Sequence, residues 1–163
     1  MPFAYTFRAD DLETVANQDK DLLENRDREL ELYLNQPNVK LRRVATQTIS
    51  PSTTVAVSFD TEDSDDSGFF PGSGTTLTVP SGLGGLYVVG GQVNWSANPT
   101  GSSIRFRVNG ISFLLLSFGN VTPVQVGSSV YLNGGDTLDM AITQNSGLTA
   151  TATATFWLTR VLA

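Results

Sequence analysis

The chain has 163 residues, 10 Lys and Arg against 16 Asp and Glu, a net charge of -6, and neither His nor Cys. The two absences exclude a Ser-His-Asp triad, a cysteine nucleophile, the common zinc and haem ligand sets and any disulfide framework. The acidic balance argues against nucleic-acid binding, which needs cationic side chains to displace counterions, and no apolar leader or 18-residue apolar run predicts secretion or a membrane span.

In chain order, residues 1–9 come first, with Phe3, Tyr5 and Phe7 alternating with smaller or polar residues. Such a segment can add a strand to a neighbouring protein, and it is read as a docking segment. Residues 10–35 follow without Pro or Gly, and Pro37 stands just beyond. Nine of the 16 acids lie between Asp10 and Glu31, and Asp10 or Asp11 suits the N-cap. A heptad reading places Leu12, Ala16, Asp19, Leu23, Arg26, Leu30 and Tyr33 on one seam. The pattern predicts a helix about 37 Å long, acting as a short coiled-coil stalk with Leu12, Leu23, Leu30 and Tyr33 in the interface. An amphipathic helix packed on its own domain is the alternative.

Residues 36–52 contain Pro37 and Pro51 with Lys40, Arg42 and Arg43, and are expected to be an accessible, trypsin-sensitive linker. From residue 53 to 163 the pattern is β throughout. Val55, Val57 and Phe59 share one face; Tyr87, Val89, Val93 and Trp95 share another, with Gly90-Gly91 marking a bulge or a close backbone contact. Asn109-Gly110 between alternating runs is the type I′ hairpin signal. Eight to ten short strands with glycine-rich turns predict a β sandwich of jelly-roll type. In ISFLLLSF and FWLTRVL both strand faces are apolar, which predicts burial on both faces. A two-layer sandwich wets its outer face, so the partner expected there is another copy of the chain, with Tyr87, Leu114, Leu116 and Trp157 as interface residues.

Few constellations carry chemistry. Asp60, Glu62, Asp63, Asp65 and Asp66 are a weak calcium candidate, lacking the spacing of an EF-hand, and a hydrated acidic loop is the plainer reading. No other cofactor is expected. Arg105 and Arg107, two apart on a strand, share one face and are ligand candidates for an anionic group, or else surface charges. Beyond residue 67, Asp136 and Asp139 are the only carboxylates available for hydrolysis, and the Asn133-Gly134-Gly135 turn explains Asp136 without catalysis. The chain is read as non-enzymatic.

The run FFPGSGTTLTVPSGLGGLYVVGGQVNW resembles the globular head of the complement recognition protein, within the tumour-necrosis-factor-like jelly rolls; Phe69, Pro80, Gly85, Tyr87 and Trp95 carry the likeness. The resemblance implies a ten-stranded jelly roll forming a tight homotrimer on a stalk. NRDRELELYLN looks like the N-terminal helix of small tail-associated proteins of actinobacterial phages. Together these imply a virion protein assembled in the host cytoplasm. Its expected role is a trimeric tail-associated fibre or host-adhesion appendage, joined to other virion proteins through residues 1–9 and facing a cell-surface glycan. Two alternatives stand beside it: a capsid decoration or head-fibre protein, and a secreted cytokine-like or lectin-like ligand.

Overall fold

The computed structural model describes residues 17–27, 36–97, 99–119 and 121–162. The chain divides into two compact units, Met1–Gln36 and Pro37–Ala163. In the first, residues 17–27 form a helix whose side chains are all exposed, Leu22 and Leu23 among them. Lys20 and Glu24, one turn apart, pair at 3.8 Å. A helix of this length with no buried stripe is marginal by itself in water. The docking segment 1–9 and the seam residues Leu12, Leu30 and Tyr33 lie outside the described residues.

The second unit holds ten strands: β1 (Asn38–Ile49), β2 (Thr54–Ala56), β3 (Thr61–Asp65), β4 (Thr76–Thr78), β5 (Gly85–Trp95), β6 (Ser102–Val108), β7 (Ile111–Phe118), β8 (Val124–Leu132), β9 (Thr137–Thr143) and β10 (Ala150–Leu162). They build two sheets, one in the order β3-β1-β10-β5-β8 and one in the order β2-β9-β6-β7, with β4 also on β9. Every pairing is antiparallel. The two sheets make a jelly-roll sandwich, as the alternation predicts.

Period-two alternation places the core. Val39 and Leu41 of β1, Tyr87, Val89 and Val93 of β5, Ile104 and Phe106 of β6, and Phe156 and Leu158 of β10 are all buried. At the centre Phe156 stacks on Phe59 with ring centroids 5.7 Å apart and tilts against Phe106 at 5.6 Å. Asn109 (φ 51°) and Gly110 (φ 79°) form the left-handed pair that closes the β6–β7 hairpin.

Three expectations need correction. Residues 36–52 are no linker: β1 occupies most of that stretch and lies between β3 and β10, paired on both sides. The alternation Val39-Lys40-Leu41-Arg42 is that of a half-buried strand, with the basic residues on the outer face. The acidic stretch is no loop, because Thr61–Asp65 is edge strand β3, drawn beside β1 by opposite charge. Tyr87 belongs to no interface. It is fully buried, sits edge-on to Phe69 at 6.1 Å, and donates its hydroxyl to the Leu83 carbonyl. Burial raises its pKa, against the nearby positive charge of Arg160.

Candidate functional site

The acids of the β3 region are engaged by the chain itself. The Asp60 carboxylate accepts from the Val44 and Ala45 amides at 2.9 and 3.0 Å, where a bulge in β1 leaves backbone donors free of the ladder. Desolvation alone would raise the Asp60 pKa, but those amides, the Thr61 hydroxyl and Arg43 outweigh it and hold the carboxyl below the ordinary aspartate range. Arg42 donates to both Asp63 oxygens at 2.7 and 2.8 Å, and this hydrogen bond is the chief cause of a lowered Asp63 pKa. Asp65 accepts from the Phe69 and Phe70 amides at 2.9 and 2.7 Å, and Asp66 accepts from Asn38. Four of the five calcium candidates thus face donors rather than one another, and Glu62 stands exposed. Among the described residues no group of three or more acids could hold a metal ion.

The hydrolase carboxylates are likewise structural. Asp136 accepts from the Asn133 amide at 2.7 Å and from Asn109 Nδ2 at 2.8 Å, tying the β8–β9 turn to the β6–β7 turn. The backbone bond from Asn133, and then that from Asn109, lower its pKa. Asp139 accepts from Arg107 Nε at 2.6 Å. The two arginine candidates therefore differ: Arg107 is neutralised, and Arg105 has no acidic partner within ion-pair distance among the described residues.

Two apolar surfaces remain. On the outer face of the first sheet, Trp157 of β10 stands beside Gly90 of β5, which in turn faces Gly127 of β8. A Cβ on Gly90 would lie 2.1 Å from the indole ring, so the glycine is what lets the ring lie down on the sheet. Gly90-Gly91 is therefore a close approach and not a bulge, since the β5 register runs through unbroken there. Further along the same strands are Leu86, Val88 (43% exposed), Tyr131 (67%) and Val161. Trp157 was expected here. Leu86, Val88 and Tyr131 were not, though LYVV and VYL each place apolar residues on both parities.

The second surface is β7, the edge strand of the other sheet, which meets edge strand β8 at one side of the sandwich. Ile111 is 75% exposed, Leu115 51% and Leu116 39%. The register slips between Phe106 and Arg107, so Phe113 is an extra residue and lies with Leu114 toward the core, stacked 6.1 Å from Phe106. Leu114 packs on the core, and Leu116 reaches the open side between the sheets. A two-faced apolar edge free of charge and proline is a surface that soluble proteins normally blunt.

No protein-family profile and no curated protein matches the sequence. Solved structures do match the fold. The globular domain of zebrafish complement 1qA protein aligns over 77% of this chain and 97% of its own, with TM-score 0.57 and 18% identity. PRD1 vertex protein P5 aligns over 77% and 96%, with TM-score 0.63 and 13% identity. Eiger TNF from S. frugiperda aligns over 77% and 92%, with TM-score 0.55 and 12% identity. Residues 37–163 thus share the jelly-roll fold of these proteins, and identities this low carry the fold alone. No helix among the described residues is long and apolar enough to cross a membrane.

Proposed function

We propose that the chain is a non-enzymatic structural protein of a virus particle and works as a homotrimer. The observation that carries the self-association is the pair of unlike apolar surfaces on one head, the β7 edge and the outer face around Trp157. A two-fold dimer buries the same patch on both partners, whereas two different patches mate head to tail and close into a ring. The expected contact sets Leu115 and Leu116 of one copy against Trp157, Val88 and Tyr131 of the next. The helix, with Leu22 and Leu23 uncovered, joins its equivalents in the neighbouring copies.

The virion assignment draws on the likeness to a vertex protein, and that likeness favours a capsid position over the tail. Residues 1–9 are the proposed anchor to other virion proteins, leaving the head to face the host surface. Light scattering should give a mass near three times 17.5 kDa, and Leu116→Glu should lower it to one chain with the head still folded. A monomeric wild type at micromolar concentration overturns the trimer. Gold-labelled antibody on purified particles then separates vertex, tail and absence, and absence favours the secreted-ligand reading that the Eiger likeness represents.

A further inference from the structure

The outer face of the second sheet carries one unanswered charge. Arg105 stands on β6 opposite Leu115 of β7 and Ala141 of β9. Its Nε–H is shut off from solvent and has no hydrogen-bond partner. The next arginine on that face, Arg107, already holds Asp139 at 2.6 Å, so this acid is committed elsewhere. On the other side Ser103 is only 7% exposed. Register sets Ser103 between Ser117 of β7 and Thr143 of β9, whose hydroxyl pairs with Thr54 at 2.8 Å. A covered cationic donor that lacks an acceptor is costly to leave empty.

We propose that Arg105 and Ser103 bind the oxyanion of an acidic glycan, a sugar carboxylate or a phosphodiester. The guanidinium fork matches the spacing of two oxygens on one such group, and an ionised acceptor makes the stronger, charge-assisted hydrogen bond. The hydroxyls of Ser103, Ser117, Thr54 and Thr143 give and accept hydrogen bonds, which suits the hydroxyls of the same sugar. A single guanidinium on a chain of net charge -6 is suited to sparsely charged glycan and not to nucleic acid. The site deepens the host-surface reading and rests on it only for the biological source of the ligand.

The experiment uses the full chain carrying 15N-labelled arginine, with the Arg105 Nε resonance assigned through Arg105→Lys. Trigalacturonate, a glycerol-phosphodiester oligomer and uncharged galactotriose are titrated in turn. The Arg105 resonance should shift with one or both anions and stay still with galactotriose; which anion acts separates a carboxylate source from a phosphate source. Arg105→Gln should weaken binding roughly tenfold or more, Ser103→Ala less, and the ion-paired Arg42→Gln not at all. An Arg105 resonance unmoved by either anion at about 10 mM, far above any useful affinity with threefold avidity, overturns the site. So does an equal shift at every exposed arginine. Particle attachment that survives Arg105→Gln, with glycan binding lost, leaves the site standing and removes only its adhesive role.

Discussion

Gly90 and Trp157 show how one missing side chain shapes a surface. The indole fills the space a Cβ would take at Gly90, so Gly90→Ala must lift the ring or push the strand. The expected cost is about 1–3 kcal/mol, read as a lower urea midpoint. In a Trp157→Ala background the same change should cost little, and an additive result would mean that the two do not touch. Asp136 supplies a test by pH. Its pKa is lowered by hydrogen bonds from Asn133 and Asn109, so its contribution is complete above the ordinary aspartate value of about 3.9 and is lost as pH falls through the lower folded value. Asp136→Asn should therefore destabilise the head by about 1 kcal/mol at pH 7. The gap between the two proteins should close toward pH 2, and a gap that persists there would assign the loss to packing.

At the scale of elements, legibility in the sequence followed the chemistry of each strand. The β6–β7 hairpin was plain because Asn109-Gly110 accepts positive φ and both flanks alternate. β10 was plain from its long alternating run. β1 was hidden because its outward positions are Lys40 and Arg42, which read as solvent exposure, and because prolines stand near both ends. β3 was hidden more deeply: TEDSD has no strand propensity of its own, and the opposite charges on β1 hold it in place. The Phe113 bulge left no mark in ISFLLLSF, since every nearby position is apolar and a slip of register changes nothing visible. Of the interface candidates, Trp157 and Leu116 were legible as uncovered apolar positions from two-faced apolarity, whereas Leu114 packs on the core. Tyr87 was misplaced because alternation alone does not say which face of a sheet turns inward. The β1 placement predicts resistance to trypsin at Lys40, Arg42 and Arg43. Lys40 and Arg42 are laddered to neighbours on both sides and Arg43 to β10, so limited digestion should leave 37–163 intact. Rapid cutting within β1 in the folded protein would contradict the pairing.

For the whole molecule, the described head draws its cohesion from the aromatic core and from direct ion pairs between β1 and β3. Chelator should accordingly leave the melting temperature unchanged, because Asp60, Asp63, Asp65 and Asp66 already have donors. A loss of several degrees, restored by calcium, would place an ion where Arg42 and the amides now stand. Tyr131→Glu, at the β8 edge, should act as Leu116→Glu does, lowering the mass in solution while the far-UV spectrum of the head persists. Full trimer in that variant would move the contact away from β8.

The charge on β3 has a consequence for how large an assembly can become. A sandwich has free edges, and any uncapped edge is a template on which another chain can lengthen the sheet. Here the β7 and β8 edges are spent within the proposed ring, β2 and β4 are three residues each, and β3 is five residues long with Glu62 exposed on it. Growth has nowhere to continue. The proposed ring can then close without lengthening either sheet, and Glu62 at the β3 edge opposes filaments.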